Sequence, residues 1–365
     1  MSGDTVTGGA AAAAETEGRE AARRTVTAVR HRVGRRTYTV IAALVLAVLG
    51  TLAAALMLGE FGVPLSEVLR SLVGPLLGRA AWESEFFVLD VRLPRVLTAV
   101  LSGAAFGLSG ALFQSLMRNP LASPDVIGIT SGASVTAVVC VLFLGLGGMA
   151  VSFGALAGAL ITAALIYLLA WRRGVSGHRL VLVGIAVAAV LSSLISYLMT
   201  ATQVSDAQRS LAWLTGSLDG HGWPHAGSLA VCLVLLLPAT ALSARALRVL
   251  EFGDDTAAGL GVRVERRRLV LLALAVALAA VATAAAGPVP FVALVSAPLA
   301  RVPLRGRGPA LTAAALVGAV LMPASDFIGQ HLFDATELPV GVVTGVAGAP
   351  YLLLMMATDR AGRDT

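Results

Sequence analysis

Residues Arg92–Ala133 read RLPRVLTAVLSGAAFGLSGALFQSLMRNPLASPDVIGITSGA. No charged residue occurs from Val96 to Met117, a run long enough as a helix to cross a hydrocarbon core of about 30 Å. Arg92 and Arg95 bracket Pro94, and proline suits a first helical turn because its missing N–H is not needed there. Arg118 ends the run, Asn119-Pro120-Leu121-Ala122-Ser123-Pro124 makes a two-proline turn, and a second apolar run begins at Val126. Gly103, Gly107 and Gly110, with alanines between them, are a small-residue stripe. Such stripes let helix backbones approach where lipid provides no hydrophobic drive for association. Packing is the plain reading of that stripe, and lining of a wide conduit is the sharper one.

Outward from this pair the pattern repeats. Apolar runs fall at 38–59, 96–117, 126–146, 148–170, 180–201, 227–248, 269–286, 309–325 and 340–357, and a shorter one, Val289 to Val302, is interrupted by Pro290 and Pro298. That shorter run is open to three readings: a broken helix, a re-entrant segment or a full crossing. The chain has 365 residues, 57% hydrophobic and 13% charged, with a mean hydropathy of +0.85; soluble domains are roughly 25% charged. The class is an all-α integral membrane protein. Arginine placement sets the parity. With ten crossings and both termini cytoplasmic, only Arg70, Arg79, Arg92, Arg95 and Arg209 of the 27 basic residues lie outside, as the positive-inside rule requires. Residues 1–36 read as a disordered Arg-rich cytoplasmic tail, 37–359 as the ten-helix domain, and 360–365 as a short cytoplasmic tail.

Several function classes drop out. Every basic residue is Arg, so a P-loop, which needs Lys at the phosphates, is absent; if nucleotide energy drives the chain, a partner must supply it. The net charge of +6 is explained by topology and not by nucleic acid. Cys140 and Cys232 both lie in apolar runs, offering neither a disulfide framework nor a metal cluster. No Asp, Glu, Lys or His occupies the middle of a run, and the five His fall in tails or loops. An ion-coupled carrier usually keeps an ionisable group near the midplane, and a hydrolase needs a base beside its nucleophile. What remains is a conduit moved by something else, not an enzyme, with no metal or cofactor of its own.

Two further segments exceed what a connector needs. In Glu251–Arg268, EFGDDTAAGLGVRVERRR, Gly253 followed by Asp254 and Asp255 reads as a helix start, since acidic residues favour the N-terminal end of the dipole. Gly259 and Gly261 then break the helix. A short amphipathic helix between such breaks can pass force from a soluble partner to the spans; a polar connection with an anchoring Arg cluster is the plainer reading. In Glu337–Tyr351, ELPVGVVTGVAGAPY, a lone outer carboxylate precedes Gly341, Gly345 and Gly348 on one helix.

Together these segments resemble the FecCD-type permeases of type II ABC importers, which carry iron-siderophores, haem and vitamin B12. The RLPR start, Gln114 with the Asn119-Pro120-Leu121-Ala122 turn, the Gly253–Gly261 loop and ELPVG with GAP stand in that family's order, and the likeness runs from about Tyr38 to Ala357. The resemblance implies ten helices per subunit in the plasma membrane. It also implies a second permease subunit, identical or paralogous, a cytoplasmic ATPase dimer and an extracytoplasmic substrate-binding lipoprotein. It further implies that Arg92 and Arg95 dock the binding protein, and that Asn119 and Leu121, with Ser176, Gly177 and His178, form the cytoplasmic gate. Gly253, Asp254, Asp255, Ala258, Gly259, Leu260, Gly261 and Val262 would be the ATPase coupling segment, within coupling helices at 251–266, and spans five and ten would line the conduit. Gln114, Pro120, Arg301, Glu337, Pro339, Gly341 and Pro350 fall on the family's motif positions. Where the family reads FxGLxxPHxxR, this chain has FVALVSAPLAR, Phe291 to Arg301, without the His; Gln330 and His331 stand where the family often has an Arg.

Overall fold

The computed structural model describes residues 34–59, 62–74, 83–171, 177–304, 310–333 and 337–361. Two compact units are present, Met1–Ala43 and Leu44–Thr365, and the packing below is that of the second. Helix α1 is Gly34–Met57. It is followed by α2 (Leu65–Val73), α3 (Glu83–Phe86), a π-helical turn at Phe87–Arg92, α4 (Leu93–Met117), α5 (Ile129–Leu144), α6 (Met149–Ala170) and α7 (Gly177–Thr200). Then come α8 (Val204–Leu214), α9 (Trp223–Leu250), α10 (Asp254–Gly259), α11 (Val264–Ala286), α12 (Val292–Leu304), α13 (Leu311–His331) and α14 (Val340–Ala361). Among the described residues seven helices are long and apolar enough to span a membrane, and α5, α12 and α14 are shorter apolar helices. These are the ten runs read from the sequence.

Helix α4 is the axis of the unit. In its most apolar stretch 78% of residues are buried, against 11% in α7 and 6% in α1; α4 is therefore a core helix, while α7 faces outward from the single chain. The glycine stripe explains how α4 is enclosed. A Cβ on Gly103 would collide with the Gly318 carbonyl of α13, one on Gly107 with the Ala314 carbonyl, and one on Gly110 with the Ala293 carbonyl of α12. The stripe is thus a packing surface and does not line a conduit. Two hydroxyls buried along α4 find carbonyls: Ser109 Oγ donates to Ala275 O of α11 at 2.6 Å and Ser102 Oγ to Thr98 O at 2.6 Å, as is usual for buried polar groups.

The proline-interrupted run resolves into a helix and an extended lead-in. Pro288 and Pro290, two residues apart, each lack an N–H and disfavour a helical residue before them; Gly287–Phe291 is non-helical and α12 begins only at Val292, while Pro298 and Pro303 are accommodated inside it. Thirteen residues give about 20 Å of helix, and the extended segment supplies the remaining length. Irregular backbone at this depth is tolerated where protein covers it. Here Gly287 and Val289 are buried, and Gly287 packs on the backbone of Trp213 and Gly216.

Three expectations need correction. α13 runs six residues past the apolar run ending at 325, through Asp326, because that carboxylate is neutralised within the protein. His178, His225 and His331 lie in the first or last turns of α7, α9 and α13 and not in loops. The 251–266 segment holds one six-residue helix, α10, and not several, since α11 already starts at Val264. Helices α2 and α8 are additions to the ten runs. Val68 of α2 joins Leu56, Val63 and Val88 in a small separate core at the outer end.

Candidate functional site

At the inner end, defined by the arginine excess, α4 stops at Arg118, which adopts the left-handed conformation (φ 50°, ψ 36°). Asn119 then folds the turn on itself: its Oδ1 accepts from the Leu121 N–H at 2.9 Å, and its carbonyl accepts from the Ala122 N–H at 3.2 Å. Asn119 and Pro120 are exposed and Leu121 is half-buried. Gly177, the first residue of α7, stands so close to Met117 that a Cβ there would lie 2.8 Å from its Sδ. Gly177 therefore meets the last residue of α4, two positions before Asn119. His178 is exposed, and Ser176 lies outside the described residues.

Gln114 is buried, 2% exposed, and joins helices: its Nε2 donates to Leu294 O of α12 at 2.9 Å. Arg301 Nη2 donates to Ser115 Oγ at 3.2 Å and Arg301 Nη1 reaches Gln114 Oε1 at 3.5 Å. With Arg118, Asn119, Pro120 and Glu251 these residues line an open cleft of about 390 Å³.

The segment expected to couple to an ATPase, 253–262, forms beside this cleft, which Glu251 helps to line. Gly253 takes φ 109°, which favours glycine, and α10 follows; Gly261, at φ 80°, closes it. Ala257 is fully buried and anchors the helix, while Asp255, Ala258, Gly259 and Gly261 are exposed and Val262 is half-buried. Phe252 (74%) and Leu260 (67%) present large apolar side chains to solvent, an arrangement that favours a partner surface. Asp254 is instead held within the chain. Arg268 Nη2, from α11, donates to both its oxygens at 2.8 Å, and Arg118 Nη2 donates to Oδ1 at 3.1 Å and to Leu250 O at 2.9 Å. The Arg268 hydrogen bonds, joined by the charges of Arg268 and Arg118, hold the Asp254 carboxyl below the usual carboxylate range against the effect of burial. One carboxylate thus ties α10 to the end of α4 and the start of α11, and Arg118 extends the tie to the end of α9.

The outer end carries a second network. Arg95 makes a two-pronged bond to Asp326 of α13, both distances 3.1 Å, and Nη2 reaches Glu337 Oε2 at 3.3 Å; Asp219 stands 3.9 Å away. Gln330 Nε2 donates to Asp326 Oδ2 at 2.7 Å. Arg92 turns back on α1, its Nη1 donating to Leu56 O at 2.9 Å. Both outer arginines are thus engaged within their own chain, and Glu337 is not a lone carboxylate. Beyond it the Pro339 carbonyl accepts from Val342 N–H at 3.0 Å, the Gly341 N–H donates to Gly216 O at 3.2 Å, and Pro350 lies inside α14.

Arg118, Arg268, Phe252, Asp326 and Asp125 went unassigned in the sequence. For Arg118 its position between Gln114 and Asn119 is a signal that could have found it; nothing local marks Asp326 as the partner of Arg95. Asp125 follows the gate turn with both oxygens buried and no hydrogen-bond partner, and burial pushes its carboxyl up to about 7.

Against known proteins, residues 44–358 match the FecCD transport family. The ferric enterobactin transport system permease protein FepG of Escherichia coli (strain K12) is 42% identical over 78% of this chain and 86% of its own. The achromobactin transport system permease protein CbrC of Dickeya dadantii (strain 3937) is 38% identical over 86% of this chain and 90% of its own. Among solved structures, an inward-facing metal-chelate type ABC transporter superposes with a TM-score of 0.75 at 27% identity, covering 88% of this chain and 99% of that one.

Proposed function

Because the chain belongs to the FecCD transport family, we propose that it is the membrane subunit of an ABC importer that moves ferric siderophores into the cytoplasm. The observation that carries the reading is α10. A short helix flanked by the exposed apolar side chains of Phe252 and Leu260, with Asp254 in its first turn held by two arginines, suits a part pressed by a soluble partner. In this reading a cytoplasmic ATPase dimer docks on 253–262 and supplies the energy, and this chain hydrolyses nothing. A second permease subunit, identical or paralogous, faces the lightly buried α7 and the exposed Val346, Leu353 and Leu354 of α14; between the two subunits runs the conduit. Alternation between outward- and inward-open states is a rigid two-state change, and Asn119 and Leu121, with Ser176, Gly177 and His178, narrow its inner mouth.

An extracytoplasmic binding lipoprotein selects the cargo. Its docking on Arg92 and Arg95 has to compete with Leu56 O, Asp326 and Glu337, so the exposed Asp219 and Glu337 become part of that face. Siderophore cargo is supported by the FepG and CbrC relatives, whose names give ferric enterobactin and achromobactin.

Deleting the gene in its host and measuring uptake of radioiron-loaded enterobactin, citrate and hydroxamate siderophores tests the reading. Loss of at least one uptake, restored by the intact gene and blocked by vanadate, is expected. Uptake that ignores vanadate and collapses with an ionophore would make the chain a secondary carrier.

A further inference from the structure

A helix that ends with a left-handed residue normally places Gly there, sometimes Asn, because a side chain pays a conformational cost. α4 ends instead on Arg118 at φ 50°. What the arginine gains is its reach: the guanidinium caps the α9 carbonyl of Leu250 at 2.9 Å and the Asp254 carboxylate of α10 at 3.1 Å. A cation at the C-terminal end of α9 is favoured by that helix's dipole, and the Asp254 bond makes Arg118 the residue through which α10 touches α4. The Asn119-Pro120-Leu121-Ala122 turn begins one residue later.

We propose that Arg118 is a positioning residue for transport: it transmits displacement of α10 to the Asn119–Ala122 turn through the Arg118–Asp254 bond. Arg268 holds Asp254 to α11 independently, so α10 keeps its place on α11 when Arg118 is removed. Both members of the Arg118–Asp254 pair are about half exposed, 52% and 48% of side-chain area. Such a pair contributes little to stability, which leaves it free to shift with the moving helix. The inference rests on the coupling role proposed for α10.

The test uses the assembled transporter with its ATPases in proteoliposomes, in a Cys140→Ser, Cys232→Ser background carrying Leu121→Cys as a reporter on the gate turn. Two quantities are read: phosphate release, and the change in maleimide labelling of position 121 on adding ATP. Arg118→Gly keeps the backbone geometry, since glycine favours that conformation, so the variant assembles and unfolds near the parent temperature. Its phosphate release is expected to stay within about twofold of the parent while the ATP-dependent labelling change falls roughly 5- to 10-fold, a coupling loss of the usual allosteric size. Arg118→Lys restores part of the change. A labelling change in Arg118→Gly equal to the parent's overturns the inference, as does a proportional loss of phosphate release and labelling in an assembled complex, which would make Arg118 a docking residue. If the parent hydrolyses ATP without any labelling change, the coupling role of α10 fails and the inference with it.

Discussion

The two ends of α4 carry opposite electrostatic designs. At the outer end one arginine, Arg95, is shared by Asp326, Glu337 and Asp219, and its bond to Asp326 is buried: the side chains are 17% and 5% exposed. At the inner end one carboxylate, the half-exposed Asp254, is shared by the half-exposed Arg118 and by Arg268, which is 17% exposed. Breaking a buried pair leaves a charge without solvent or partner, whereas an exposed pair re-forms cheaply in water. The outer network therefore fixes α4 to α13, and the inner one keeps a joint that can move.

The largest effect that separates the two ends comes from Asp326→Asn, which leaves the Arg95 guanidinium buried with only Glu337 and Asp219 near it. A loss of about 3 kcal/mol is expected, read as a fall in unfolding temperature in detergent. An unchanged temperature would mean that the outer end is as adaptable as the inner. Next is Gly318→Ala, which drives a Cβ into the Gly103 carbonyl and tests the packing that the outer bond reinforces. Overpacking of this kind costs about 2 kcal/mol, and a neutral result would show that α4 and α13 can separate without loss.

Asp125 gives a pH-dependent contrast near the inner turn. Its carboxyl is raised from 3.8 to about 7 by burial. Between those values the unfolded chain releases the proton while the folded one keeps it, so stability falls as pH rises through that window and levels off above it. Asp125→Asn is expected to unfold at a higher temperature than the parent at pH 8, with the difference vanishing near pH 4. A constant difference across that range would contradict a buried neutral carboxyl.

The smallest effect belongs to Asp254→Asn. Because the Asp254 pKa is depressed, its contribution is complete above the ordinary carboxylate range and is lost only as pH falls through the lowered value. The stability difference between Asp254→Asn and parent should be under about 1 kcal/mol and flat from pH 8 to pH 5, while ATP-driven gate movement is lost. A large stability loss would make the inner network as structural as the outer.

Much of this was legible because it is local. The uncharged run from Val96, the Asn119-Pro120 turn, Gly253 with Asp254, and the prolines that shorten α12 each act within a few residues of themselves. The amphipathic α2 and α8 were missed because they are too short and polar to register as crossings, although Val68 and Leu72, and Val204, Ala207 and Leu211, recur at helical spacing. The glycine stripe was ambiguous until a neighbour was known: only the Gly318 and Ala293 carbonyls show that it packs. Pairings such as Arg95 with Asp326, 231 positions apart, or Arg118 with Asp254, 136 apart, belong to the tertiary structure. For the same reason the docking role expected of Arg95 meets competition that the RLPR motif alone did not disclose.

Drive of this conduit by a partner ATPase acting through 253–262 is the core of the proposed function. It is tested most directly by uptake of a radioiron-loaded siderophore into proteoliposomes holding the complete complex, with Asp254–Gly259 either intact or replaced by a glycine-serine linker of equal length. ATP-dependent accumulation with the intact helix and none with the linker is the expected result. Equal accumulation in the two, or accumulation by the intact chain without its ATPase, would contradict it.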